Sequence, residues 1–332
     1  MYPELFKIPF IDWRVPTYGL MMVIGFLCAL FIIRPLSRDI TPEPQLITNA
    51  ALYSLIAGVV GSRLFYVIHH FEQFRGSVLS VFAVWRGGLE LLGGVILAIT
   101  VVLLFLSYHK LPVRRYLDIL AIGLTAALVF GRIGCFLRGD CFGAPTNLAW
   151  AVRFPYGCDT YYSQVYPDLN RNRSRPHLQL PPEFFDVYEG VEHLKPFKRL
   201  TEEQKWAVTE GQYRCLPVHP TQLYSSANAL LGCLLLYLFW RRAQNAGKSK
   251  NAKKLLARPG SAFALMFMYY GFTRFFLEFL RDDNPFEYGW WAVYKGGTIS
   301  QNIGIYLFAL GVVMMVVFQK MRPDKLTAKT TW

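Results

Sequence analysis

Charge is scarce in this chain of 332 residues: Asp, Glu, Lys and Arg together make up 17%, against roughly a quarter in soluble domains. Acids are the scarcer sign, 22 against 35 Lys and Arg, while 53% of residues are hydrophobic and fall in blocks. That balance argues against an ordinary soluble domain. Histidine and cysteine are also few, six of each, and they show no cluster at metal-ligand spacing, so neither a metal centre nor a cofactor is expected. A cleavable signal peptide is missing as well. Met1 to Phe10 has no basic flank followed by an apolar run and a small-residue cleavage site. The first apolar run is thus expected to act as its own insertion signal, with Phe6, Phe10 and Trp13 in the interfacial stretch before it. There is no internal repeat.

What is present is a series of apolar blocks. Stretches near Thr17–Ile33, Leu46–Ile68, Gly88–Leu106, Leu117–Phe136, Gln222–Trp240, Ser261–Leu280 and Ile303–Phe318 are each long enough, or nearly so, to cross about 30 Å of hydrocarbon as a helix. They mostly lack the polar stripe of a soluble amphipathic helix. The expected fold is an all-α integral membrane bundle of about seven transmembrane helices.

The formal net charge of +13 raises the question of nucleic acid, but its placement answers it. Arg241, Arg242, Lys248, Lys250, Lys253, Lys254 and Arg258 form one run without acids. Arg34 and Arg38 follow the first span, Arg114 and Arg115 precede the fourth, and Lys320, Arg322 and Lys325 follow the last. If the spans alternate, all these loops share one side. The positive-inside rule then places the N-terminus outside and the C-terminus in the cytoplasm. The basic run reads as a cytoplasmic loop touching anionic membrane lipids, and nucleic acid is not an expected partner.

Four segments follow. Residues 1–153 carry helices 1–4, 154–217 form an outer insertion, 218–320 carry helices 5–7, and 321–332 are a cytoplasmic tail. The insertion is polar and proline-bearing, and Thr201-Glu202-Glu203-Gln204 has capping-box form, predicting a short helix there. Cys158 and Cys215 bracket it, and an oxidising outer compartment permits a bridge between them. Cys28 and Cys233 fall inside spans, where thiols act as small hydrophobes. Cys135 and Cys141 sit at the outer end of the fourth span.

Ionisable groups inside spans are costly and mark candidate sites. Arg63 lies in the second span after Gly58 and Gly61, and Arg132 ends the fourth. In the sixth, Arg274 and Glu278 are four residues apart, with Arg281 and Asp282 near the same face, so a polar stripe crosses an aromatic helix. An ion pair that only lowers insertion cost is the alternative for that pair. Several arginines at one membrane depth suit phosphate better, since guanidinium grips it bidentately. Gly87-Gly88 and Gly93-Gly94 flank the start of the third span, where doubled glycines allow either close helix packing or close approach of a headgroup.

The residues from Gly131-Arg132-Ile133-Gly134-Cys135 to Asp140-Cys141-Phe142-Gly143, with Trp150 to Pro155, His219-Pro220-Thr221-Gln222-Leu223-Tyr224, and Tyr270-Gly271, Arg274-Phe275, Glu278-Phe279 and Arg281, resemble prolipoprotein diacylglyceryl transferases. Tyr18-Gly19-Leu20-Met21, Gly61 to Tyr66 and Ser300-Gln301 agree more weakly, and the matches run in order from first span to last. That resemblance implies a seven-helix bacterial inner-membrane enzyme. Such an enzyme moves the diacylglyceryl group of phosphatidylglycerol to the lipobox cysteine of preprolipoproteins, releasing glycerol phosphate. It further implies that Arg132 holds the phosphatidylglycerol phosphate and that Arg274 is a second essential arginine. Glu278, Tyr18 and Asp140 (Glu in the family) are the further catalytic candidates. Gly143, Gly93, Gly94, Cys135, Tyr270 and Gln222 are the candidate substrate-binding residues. The resemblance implies no metal and no cofactor.

Two departures stand out. Leu92 occupies the place of a family histidine proposed to help activate the substrate thiol, and Cys135 replaces a family asparagine. Glu90, His69 and His70 are candidate substitutes for the histidine, although Glu90, two positions from Leu92, points to another face. A transferase with a different acceptor, or a phospholipid-binding paralogue impaired in turnover, is the alternative reading.

Overall fold

The computed structural model describes residues 4–8, 13–39, 41, 43–74, 78–82, 88, 90–188, 190–248 and 258–321. A two-stranded antiparallel ribbon, β1 (Glu4–Ile8) and β2 (Trp13–Pro16), leads into α1 (Thr17–Ser37). Then come α2 (Gln45–His69), α3 (Leu91–Tyr108) and α4 (Val113–Arg138). The insertion carries α5 (Asp159–Val165), an antiparallel hairpin of β3 (Phe185–Tyr188) and β4 (Val191–Leu194), and α6 (Glu202–Thr209). The chain closes with α7 (Thr221–Lys248), α8 (Ser261–Leu277) and α9 (Ile299–Lys320).

The seven apolar blocks all form helices. Six of them, α1, α2, α4, α7, α8 and α9, are long and apolar enough to cross a membrane, and α3 is a shorter apolar helix. Large apolar side chains point outward along them, Phe31, Leu104 and Tyr108 among the most exposed. A surface of that kind suits lipid, since soluble monomers do not present apolar area on this scale. The third span starts at Leu91 and not at Gly88, whose φ of +71° breaks the helix.

Helices pack mainly as α1 on α4, α2 on α3, α4 on α7 and α8 on α9. Ala29 and Ile33 of α1, Leu106 of α3, Tyr116, Ile119 and Ile122 of α4, and Leu236 and Trp240 of α7 build the main core near the ends that carry the basic loops. Asp118, a span carboxylate the sequence reading did not single out, has a structural task there. Its two oxygens accept the backbone N–H groups of Gly260 (2.7 Å) and Phe263 (3.0 Å), capping the start of α8.

The basic run Arg241–Arg258 lies partly outside the described residues, as do Arg322, Lys325 and the tail. Arg63 is buried and donates to the carbonyls of Val81 (2.8 Å), Gly88 (3.0 Å) and Ser80 (2.7 Å). It therefore pins the connection between α2 and α3.

The insertion folds around its own core of Phe154, Tyr161, Val165, Leu178, Leu194 and Cys215. The predicted capping box is present at α6: Thr201 Oγ1 accepts the Gln204 N–H and Gln204 Oε1 accepts the Thr201 N–H. The bridge that an oxidising compartment would permit is absent. Cys158 and Cys215 are both free thiols, and this unit is held by apolar packing and hydrogen bonds instead. Asp282, just beyond α8, docks it: Arg171 Nε and Arg173 Nη1 each lie 3.0 Å from its carboxylate, and His177 Nε2 lies 3.3 Å away.

Candidate active site

The face of the bundle that carries the insertion gathers the ends of α4 and α8 and the starts of α1, α7 and α9. α4 stops at Gly139, which takes a left-handed φ of 87° and donates its N–H to the Cys135 carbonyl. The chain then turns back under α7. Thr221 Oγ1 donates to the Cys141 carbonyl (2.8 Å), and Gln222 Nε2 donates to the Asp140 carbonyl (2.7 Å). Gly143 next pairs with Arg281 in an antiparallel bridge. A Cβ at Gly143 would sit 2.6 Å from the His219 Cβ and 2.8 Å from the Leu280 carbonyl oxygen, so only glycine lets these three segments meet.

Arg132, Tyr270 and Arg274 line one cleft between α4, α7 and α8, together with Asn228, Tyr269 and Thr273. Arg274 Nη2 lies 3.0 Å from Glu278 Oε2 and donates to Ser300 Oγ at 2.8 Å. Its Nη1 is buried without a hydrogen-bond partner. Glu278 is itself buried where α8 tightens into a 3-10 turn, and its Oε1 accepts from Asn284 Nδ2 and from Thr298 Oγ1 (3.1 Å). Arg281 Nε lies 3.7 Å from Glu278 Oε2, and Arg281 donates from Nε and Nη2 to the two oxygens of Asp283. One fully buried carboxylate thus stands between the buried Arg281 and the nearly buried Arg274, an arrangement tolerated in a dry interior only when the charges are paired and hydrogen-bonded.

Tyr18, half-exposed at the start of α1, lies against the Gly134 turn of α4 beside Cys135. Arg132 Nη1 approaches Cys141 Sγ at 3.8 Å. Asp140 Oδ2 lies 3.6 Å from Arg138 Nε, while Oδ1 is buried without a hydrogen-bond partner. Burial pushes the Asp140 carboxyl above the ordinary carboxylate range. A hydrogen bond from the Cys135 thiol lowers the Cys141 thiol below its usual value.

The fold therefore unites most of the residues picked from the sequence, with two qualifications. Gln222 positions the loop after α4 through a backbone carbonyl. Gly93 and Gly94 sit in the α2–α3 contact: a Cβ on Gly93 would meet the Gly61 carbonyl at 2.5 Å, and one on Gly94 would meet Ser62 Oγ at 2.2 Å. Close helix packing accounts for both.

Leu92 is exposed at the N-terminal end of α3. The candidate substitutes are nearby and engaged with one another: His69 Nδ1 lies 2.7 Å from Glu90 Oε2, and His70 stacks on Tyr66. Thr298, Ser300, Asn284 and Asp283 were missed as site residues or only weakly noted. They carry no intrinsic signal, because only tertiary proximity to Glu278, Arg274 and Arg281 gives them a task. No metal-ligand spacing is visible in the sequence, yet the turn after α4 brings Cys135, Asp140 and Cys141 within 4.8 Å of one another.

Membrane-length apolar helices with Arg132 and Arg274 lining one cleft mark an integral membrane protein whose cleft suits an anionic group. The comparisons narrow this. The sequence profile of prolipoprotein diacylglyceryl transferase matches residues 3–317. The chain belongs to that family. It is 29% identical over 293 residues to the phosphatidylglycerol–prolipoprotein diacylglyceryl transferase of Buchnera aphidicola, covering 86% of each chain. It is 27% identical to the enzyme of the same name from Prochlorococcus marinus, over 89% of this chain and 86% of that one. For the Roseobacter denitrificans enzyme of that name the identity is 26%, with 94% of each chain covered.

Proposed function

We propose that this protein transfers the diacylglyceryl group of phosphatidylglycerol to the lipobox cysteine thiol of preprolipoproteins, at the outer side of the bacterial inner membrane. The observation that carries this is the shared cleft of Arg132 and Arg274, the latter fixed by the buried Glu278. The relatives named above are bacterial enzymes whose names state this transfer.

In the reaction a thiolate attacks the glycerol carbon that bears the phosphate. The carbon–oxygen bond breaks, its electron pair stays on the phosphate oxygen, and glycerol phosphate departs. Charge grows on the departing phosphate. Arg132 and the free Nη1 of Arg274 are the groups to meet it, already oriented and shielded from water, so little reorganisation is needed as the bond breaks. Glu278 is the positioning residue. It holds Arg274 through an ion pair while Asn284 and Thr298 occupy its other oxygen. Tyr270 lines the cleft, and Tyr18 lies against the Gly134 turn of α4, two residues beyond Arg132.

The domain roles follow. Residues 1–153 and 218–320 supply the membrane bundle, and 154–217 caps its outer end through Asp282.

The test is diacylglyceryl transfer in proteoliposomes holding phosphatidylglycerol and a lipobox peptide, with wild type beside Arg132→Ala and Arg274→Ala. Thioether and glycerol phosphate from wild type alone support the reading. Equal product from all three overturns the arginine roles.

A further inference from the structure

We propose that Cys135, Asp140 and Cys141 bind one zinc-class divalent ion whose fourth position receives the acceptor thiol. Their ligand atoms already lie within 4.8 Å of one another. A tetrahedral ion about 2.3 Å from sulfur and about 2.0 Å from a carboxylate oxygen holds these ligands about 3.5–3.8 Å apart. Rotamer adjustments of an ångström or so close that gap.

Three further observations point to a built site. The Cys141 backbone sits at φ 56°, a left-handed conformation that non-glycine residues rarely adopt. It is held there by Thr221 on its own carbonyl and by Gln222 on the Asp140 carbonyl, so the turn presents both sulfurs to one point. Asp140 Oδ1 is buried with no hydrogen-bond partner, a costly state that a ligated cation would relieve. Finally, two thiolates and a carboxylate around a divalent ion leave one net negative charge. Arg132, 3.8 Å from Cys141 Sγ, lies beside it.

Such an ion would supply a thiolate, the form of the acceptor that the transfer uses. A thiol that coordinates is deprotonated outright, and the thiolate is the nucleophile. The acceptor cysteine would release its proton to solvent on binding. Its sulfur then forms the bond to the glycerol carbon as the carbon–oxygen bond to phosphate breaks, and the thioether product, a weaker ligand, dissociates. The ion keeps its oxidation state throughout. Because Arg132 Nη1 lies 3.8 Å from Cys141 Sγ, the nucleophile and the phosphate grip would be neighbours.

This inference rests on the proposed transfer, and its test separates the two. The full-length protein, purified in detergent with reductant and stripped of metal, is titrated with Zn²⁺ and, in parallel, with Co²⁺. Bound metal is measured by elemental analysis. Sulfur ligation is read from the near-ultraviolet sulfur-to-cobalt band, and fold from the thermal melt. About one ion per chain is expected, with affinity falling at least tenfold in Cys141→Ser and Asp140→Asn and unchanged in Cys28→Ser. The visible cobalt spectrum should shift when a lipobox peptide is added, and not with its Cys→Ser version. Retention of phosphatidylglycerol, lost in Arg132→Ala, reports the lipid site independently.

A folded wild type that binds no stoichiometric metal overturns the proposal. So does metal that Cys141→Ser and Asp140→Asn retain, or a Cys135–Cys141 disulfide in protein isolated in parallel without reductant. Full transferase activity in the verified metal-free protein overturns the thiol role and leaves the proposed transfer standing. Metal bound at the cluster without transfer to the lipobox peptide would instead count against the transfer.

Discussion

Glu278 lies 3.0 Å from Arg274, one helical turn away on the same helix face, with its side chain fully buried and that of Arg274 nearly so. Neither charge is sustained alone at this depth. Removing one partner leaves an uncompensated buried charge, typically a loss of about 3–5 kcal/mol. Glu278→Ala should therefore lower the stability of the α8–α9 end by that order and reduce transfer through the released Arg274. Glu278→Gln keeps groups able to bond Thr298 and Asn284, so it should melt closer to wild type while still losing activity. Equal activity of the Gln variant and wild type would remove the ion pair from the mechanism.

Arginine geometry matters as well as charge at the phosphate grip. Arg132→Lys preserves the charge but not the planar fork. Loss of one preorganised donor to a developing anion costs about 10²–10³ in kcat. Arg132→Lys and Arg274→Lys should each fall within that range in the proteoliposome assay. Lysine variants with wild-type rates would show that charge alone suffices.

Close packing at α2–α3 is a stability matter. Gly93→Ala puts a Cβ 2.5 Å from the Gly61 carbonyl, and overpacking of this kind costs about 1–3 kcal/mol. Thermal melts should drop, while the KM for phosphatidylglycerol in the surviving folded fraction stays near wild type. A selective rise in KM without a fall in melting temperature would restore Gly93 to the lipid site.

Docking of the insertion depends on Asp282, which gathers Arg171, Arg173 and His177. Asp282→Asn removes the charge and retains the shape. Limited proteolysis should then cut faster within residues 154–217, with the spans intact. Unchanged cleavage would assign the docking to the backbone contacts from Arg171 to the Arg281 and Asn284 carbonyls.

The thiols of the insertion should be free and slow to react. Burial pushes the Cys215 thiol up to about 12, so at pH 8 it carries almost no thiolate, and a raised thiol pKa means less reactivity below that value. Iodoacetamide should leave Cys215 unmodified in the folded protein and label it after denaturation without reductant. Failure to label the denatured, unreduced protein would reveal a bridge.

The membrane class, the apolar blocks and the α6 cap were legible in the sequence, as was the pairing of Arg274 with Glu278. Hydrophobic length and charge placement are one-dimensional properties, and a charge inside an apolar run stands out wherever the chain goes. Spacing along one helix likewise reveals Arg274 and Glu278 as neighbours, because residues four apart share a face. Only the tertiary structure decided the rest. Gly93 and Gly94 read equally as headgroup or packing residues until the Gly61 carbonyl was found against them. Arg63 looked like a site arginine until its three carbonyl partners were seen. Cys135, Asp140 and Cys141 show no ligand periodicity; they converge because Gly139 ends α4 in a left-handed turn and Thr221 and Gln222, some 80 residues later, hold the chain there. Contacts across such separations depend on where backbone carbonyls end up, and no local pattern of residues encodes that.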